Sequence, residues 1–245
     1  MTPARRYTPQ QDAPLASFCT LLEDNGLAGA VIVQPSFLGS DNSFLLSALN
    51  EARRQNPELD IRGVVAVPPA TPVEDLERLR DSGVIGARMN LLAAPLPDLS
   101  APVWRSFFKV LNRLGWHLEL HVEGPRLPDV LPELFKRCDR VVIDHFGLPD
   151  PGQPQACRGL RHLLDAPKDA LWVKASAPYR VFEGLPTAEA ARRCGPLYRI
   201  LVEALGEDRV LWGSDWPWTR FASVECYDLT LAWLEDWRRG KTSDG

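Results

Sequence analysis

Seven short apolar runs punctuate the chain: GAVIVQP (29–35), IRGVVAV (61–67), VIGARMN (84–90), WHLELHV (116–122), RVVIDHF (140–146), LWVKAS (171–176) and RVLWGS (209–214). Each is rich in Val, Ile or Leu and short enough for a buried parallel strand. Longer stretches with helical spacing lie between them. Leu15, Phe18, Leu21 and Leu22 make one apolar stripe that ends at Asn25-Gly26, a C-cap pair. Phe44, Leu45, Ala48 and Leu49 make another, with Asp41 as the predicted N-cap. Trp104, Phe107, Phe108 and Leu111 run up to Gly115, and Leu197, Ile200, Leu201 and Leu205 up to Gly206. Tyr227, Leu231 and Leu234 mark the last helix. Such alternation predicts parallel pairing with right-handed crossovers, the α/β pattern of a TIM-type (β/α)8 barrel. Seven strands are recognisable, so the barrel is expected to lack its first strand. An open seven-stranded sheet has two edges, which a second copy of the chain can cover in a homo-oligomer.

Polar residues gather where these strands end. They are Ser36, Arg88 with Asn90, His121, Asp144-His145, Lys174 with Ser176, and Asp215. Parallel barrels bind ligands at the carboxyl ends of their strands, so this is the expected mouth of a site. In the run at 116–122, His117, Glu119 and His121 alternate with Leu118, Leu120 and Val122. A period of two puts Glu119 and His121 on one face, pointing inward, either as part of a site or as a satisfied structural network. His145 can bind a metal or donate to a substrate carbonyl, and a strand-end histidine can also be structural. Asp215 follows an apolar strand directly, among Trp212, Trp216 and Trp218. A carboxylate walled by indoles can take a proton from water. It can also cap a helix, a reading that Pro217 disfavours. Arg88 and Arg180 carry planar forks suited to a carboxylate and so point to a small anionic substrate, although either alone can be a surface ion pair.

The 245-residue length fits one domain spanning 1–245. A net charge of -4 argues against a nucleic-acid partner. No apolar run approaches the ~20 residues of a membrane span, and no apolar stretch between Met1 and Ala13 marks a signal peptide. The five cysteines are scattered without a CxxC pair, which points to reduced thiols and a cytoplasmic location.

The motifs RRYTP (5–9), VIVQPS (31–36), GSDN (39–42), RMN (88–90), VVIDHFG (141–147), VKASAPYR (173–180) and WGSDWP (212–217) occur in this order. Together they make the chain resemble the amidohydrolase-related metal-dependent hydrolases, and among them the 2-pyrone-4,6-dicarboxylate lactonases. The resemblance runs from Arg5 to Trp218. It implies that Asp215 is the general base and that His145 lies by the scissile lactone carbonyl. It implies that Arg88 and Arg180 hold substrate carboxylates, and that Tyr7 and Ser36 contact substrate. His121 stands where the lactonase pattern carries a tyrosine and where other members of the wider group place a metal ligand. The group's opening His-x-His strand and its closing Asn-Pro-x-Arg-Leu helix are expected to be absent from this chain. A second substrate arginine shortly after RMN is missing, for the sequence there reads LLAAPLPDL.

Three readings follow. The first is hydrolysis of a carboxylated cyclic ester by an Asp215-activated water, with no cofactor required. The second is a metal-dependent hydrolase or decarboxylase with His121, His145 and Asp215 around zinc or manganese. The third is a non-catalytic homologue that binds a ligand or a partner.

Overall fold

A computed structural model describes residues 8–9, 12–221 and 227–240. Seven strands follow one another through the sheet in chain order: β1 (Gly29–Val33), β2 (Asp60–Val65), β3 (Val84–Asn90), β4 (His117–His121), β5 (Val141–Ile143), β6 (Leu171–Ser176) and β7 (Val210–Gly213). The pairings of β1 with β2, β2 with β3, β5 with β6 and β6 with β7 are parallel, with Val31 opposite Arg62 and Ser176 opposite Gly213. At least one helix separates each strand from the next, as parallel pairing requires. This is the α/β barrel type expected, with seven strands among the described residues.

Contacts divide the chain into two compact units. The first comprises Met1–Met89, Asp98–Glu119 and Arg137–Asp139, and the second Asn90–Pro97, Leu120–Lys136 and Arg140–Gly245. The division falls inside β4, between Glu119 and Leu120.

In the first unit the helices are α1 (Leu15–Asp24), α2 (Ser43–Gln55), α3 (Val73–Asp81) and α4 (Pro102–Leu114). Helix α1 ends at Asn25 with Gly26 at φ 63°, the left-handed exit that the sequence announces. Helix α4 has Pro in its first turn and Gly115 at φ 69° after its last, and buries Phe107, Phe108 and Leu111 on one face. Full burial of side chains of this size stabilises the fold by roughly 2 kcal/mol each. One sequence expectation shifts by a residue. Helix α2 starts at Ser43, so Asn42 rather than Asp41 sits at its N-cap. The Asn42 side chain faces away from the helix: it donates to Ala66 O and accepts from Ala66 N at 2.9 and 3.0 Å. Asp41 Oδ1 still accepts from Ser43 N at 3.2 Å.

In the second unit the helices are α5 (Leu127–Phe135), α6 (Arg158–Leu164), α7 (Pro178–Val181), α8 (Thr187–Leu205) and α9 (Tyr227–Arg239). Helix α6 approaches the turn at Gly124–Arg126 so closely that a Cβ on Gly159 would meet the Gly124 carbonyl at 1.8 Å. Helix α9 docks through Trp237, whose indole N–H donates to Ala191 O at 2.8 Å and whose ring meets Phe146 edge-on at 5.3 Å. That contact anchors the turn that follows β5.

Candidate active site

The second unit collects a dense set of polar groups at the carboxyl ends of β4 to β7. His121 is the last residue of β4. Asp144 follows β5 at once, and His145 opens the next turn. Lys174 and Ser176 belong to β6, Tyr179 and Arg180 to α7, and Asp215 stands just beyond β7. The backbone is left-handed at His145 (φ 50°), Ala177 (φ 49°) and Asp215 (φ 53°). Non-glycine residues in that conformation cost on the order of 1 kcal/mol or more, and the packing around them must hold them there. Their clustering at strand ends is a feature that sequence cannot display.

Asp215 is the hub. Its Oδ2 accepts from Tyr179 Oη and from Arg180 Nε, both at 2.8 Å. Its Oδ1 lies 4.0 Å from His145 Nε2. Burial raises the Asp215 carboxyl, but the Arg180 guanidinium, His145 and the Tyr179 hydrogen bond together hold it below the ordinary range. It is therefore a carboxylate at neutral pH. Burial and the nearby Asp215 charge push the Tyr179 phenol up, so it stays a donor. Arg180 also donates through Nη2 to Thr219 O at 3.1 Å, and its guanidinium lies over the Phe221 ring at 4.8 Å.

His145 Nδ1 is 2.8 Å from Ser176 Oγ. Burial lowers His145 to about 4, against the pull of Asp144 and Asp215. It is a neutral imidazole at pH 7. Where the Ser176 hydroxyl donates to Nδ1, the proton sits on Nε2, the nitrogen that faces Asp215.

His121 meets His145 edge-on at 5.2 Å, with its Nδ1 4.0 Å from Asp144 Oδ2. Asp144 is 2% exposed, and its Oδ1 holds the Lys174 ammonium at 3.1 Å. Ligand atoms of His121, Asp144 and His145 all lie within 4.8 Å of one another. Two imidazoles and a carboxylate are suitable donors for zinc. Among the described residues this trio contains Asp144, where the sequence reading has Asp215. The donor chemistry fits a divalent ion, while the ammonium on Asp144 already supplies positive charge.

Ser36 and Arg88 belong to the first unit. Ser36 opens a turn after β1 that is shaped by buried Gln34, whose amide donates to Gly39 O at 3.1 Å and Asp41 O at 2.7 Å. Arg88, on β3, reaches Gln34 O through Nη1 at 3.4 Å, and its Nε lies 3.4 Å from Glu119 Oε1. Glu119 is 1% exposed, and His117 Nε2 stands 4.0 Å from its other oxygen. His117 lies against Gly86, where any Cβ would meet its ring at 2.6 Å. Tyr7 lies outside the described residues.

The sequence reading brought Asp215, His145 and Arg180 forward, and the structure joins all three. It missed Tyr179 as the second donor to Asp215. Its only trace is the residue's place beside Arg180 in SAPYR. It named Asp144, Lys174 and Ser176 without giving them partners.

The family model described as amidohydrolase matches residues 1–242. A curated 2-pyrone-4,6-dicarboxylate hydrolase from Comamonas testosteroni is 30% identical over 222 residues, which cover 88% of this chain and 70% of that protein. A 4-sulfomuconolactone hydrolase from Hydrogenophaga intermedia is 25% identical over 223 residues, 90% of this chain and 70% of that one. Among solved structures, a probable 2-pyrone-4,6-dicarboxylic acid hydrolase from Acinetobacter baumannii with citric acid bound superposes with a TM-score of 0.89 at 30% identity. It covers 97% of this chain and 86% of its own.

Proposed function

The chain belongs to the amidohydrolase family, and from that membership we propose that it hydrolyses a small carboxylated cyclic ester, with Asp215 as the base that activates water. The observation that carries this reading is the facing of Asp215 Oδ1 and His145 Nε2 across 4.0 Å. A water molecule hydrogen-bonded to both atoms fits that separation. Asp215 takes its proton on Oδ1, because Oδ2 is engaged by Tyr179 and Arg180. Oxygen then adds to the ester carbonyl, and the oxyanion accepts the Nε2–H of neutral His145. Collapse of the tetrahedral intermediate breaks the ring C–O bond, and the proton held by Asp215 passes to the leaving oxygen. Arg180 keeps Asp215 ionised and aimed. The lowered basicity is offset by its position against the reacting water.

The substrate class rests on relatives. Two of them hydrolyse anionic lactones by name, and a solved relative holds a tricarboxylate. We assign substrate-carboxylate recognition to Arg88, and contacts from the first loops to Ser36 and Tyr7, on the sequence reading alone. Buried free thiols at Cys19, Cys138, Cys157 and Cys194 support a cytoplasmic setting. No helix among the described residues is long and apolar enough to cross a membrane.

A metal-dependent reading has one observation behind it, the His121, Asp144 and His145 trio. In that reading these residues would hold the ion, and zinc or manganese would supply Lewis-acid polarisation of the carbonyl. A panel of carboxylated lactones, assayed with and without chelator, separates the two. Turnover that survives chelation supports the Asp215 mechanism. Turnover lost to chelator and restored by zinc or manganese supports the metal. A folded protein that binds the lactones and turns none over is a ligand-binding homologue, and sinks both.

A further inference from the structure

Asp144 is the most deeply placed carboxylate of the second unit's site, at 2% exposure, and so requires a positive partner. Its Oδ1 has one in the Lys174 ammonium at 3.1 Å. Around the same carboxylate stand His121, with Nδ1 4.0 Å from Oδ2, and His145, which completes a trio within 4.8 Å. These are the donors that a divalent ion would use, and one of them already carries a cation from the chain itself.

We infer that Lys174 is the resident cation of the His121, Asp144 and His145 cluster and that it excludes a divalent metal from the site. The argument is one of charge and place. The Lys174 ammonium, 3.1 Å from Oδ1, already neutralises the one carboxylate of the trio. An ion bound to Asp144 would have the ammonium a few ångströms away, and like charges at that range repel strongly where water is scarce. Lys174 has little room to withdraw. It sits inside β6, opposite Leu211 of β7, and its side chain is 19% exposed. A neutral side chain at 174 would take the ammonium off Asp144, and two imidazoles with a carboxylate would then be open to zinc. One lysine thus decides which of two chemistries this cluster can support. The inference goes beyond the lactonase reading and does not need it, because metal can be counted with no substrate present.

The test uses the full chain as wild type, Lys174→Gln and Lys174→Arg. Each is dialysed against zinc, and bound metal is counted by elemental analysis. Cobalt(II) spectra report the ligand field in parallel. Wild type and Lys174→Arg are expected to bind weakly and to give no cobalt band for a site of His and carboxylate. Lys174→Gln is expected to bind one equivalent roughly tenfold or more tightly than wild type, about 1.4 kcal/mol. Adding His121→Ala to Lys174→Gln should abolish the gain. Wild type holding a full equivalent of zinc that His121→Ala removes overturns the inference. So does a folded Lys174→Gln that binds no better than wild type. Should the glutamine variant not fold, wild type and its His121→Ala variant alone still decide between full and negligible zinc. Lactone turnover enters neither measurement, so failure of the lactonase reading leaves this result standing.

Discussion

Each unit holds one partly sheltered arginine–carboxylate pair with a histidine 4.0 Å from the carboxylate, yet the two are built in opposite senses. In the first unit the carboxylate is the hidden member. Glu119 is 1% exposed and Arg88 11%, at 3.4 Å. In the second unit the order reverses. Asp215 is 20% exposed and Arg180 15%, at 2.8 Å. A carboxylate sealed in the sheet cannot meet a substrate, so under the proposed function Glu119 orients Arg88. A carboxylate gripped on one oxygen can react through the other, so under the same proposal Arg180 serves Asp215. On that reading the same two functional groups give an anion-binding arginine in one place and a reactive carboxylate in the other.

The contrast can be broken most forcefully at Glu119. Removing one member of a buried pair costs about 3 kcal/mol or more. Glu119→Ala should lower the urea midpoint accordingly, whereas a midpoint unchanged from wild type would mean that the pair adds nothing to the fold. Next comes Asp215→Asn. It keeps shape and hydrogen bonding but cannot take a proton, so kcat should fall by ~100-fold or more with the fold intact by circular dichroism. Turnover within threefold of wild type would remove Asp215 from the role of base. Arg180→Met tests the grip. The guanidinium holds the Asp215 carboxyl down against burial, so its loss should raise that group. The acid limb of the kcat/KM profile should then move to higher pH. A limb that stays in place would assign the profile to another group.

The most gradual effect is on stability and pH, in metal-free protein. Folded His145 titrates at about 4 because burial disfavours its cation, while the unfolded chain takes the proton near 6.5. Stability from this residue is therefore complete above about 6.5 and is lost as pH falls from there through about 4. The slope cannot exceed about 1.4 kcal/mol per pH unit for a single proton. His145→Asn should flatten the profile in that window. Equal slopes in wild type and variant would place the titration elsewhere.

Much of this was legible in the sequence. All seven strands lie where short Val-, Ile- and Leu-rich runs put them, with ends shifted by a few residues, because buried parallel strands are written as continuous apolar segments. Strand-end polarity pointed to His145, Arg180 and Asp215, since a barrel's topology fixes where such residues converge. The pairings were not legible. Arg180 was read as a contact for substrate, and its bond to Asp215 was not foreseen, because 35 positions of chain separate the two and only the folded turn after β6 brings them together. The Lys174–Asp144 bond is hidden for the same reason. Asn42 displaced Asp41 at the start of α2 because a side chain that can both donate and accept was needed at the end of β2.

The left-handed residues at His145, Ala177 and Asp215 have a consequence for how such a protein changes over generations. Glycine is the residue that relaxes this backbone, yet at His145 and Asp215 it would also remove the ring that meets Ser176 and the carboxylate that holds Tyr179 and Arg180. Relief of strain and loss of contacts thus pull against each other at these two positions. A lineage under pressure for heat resistance has no free gain there, because each step that eases the chain loosens what surrounds it.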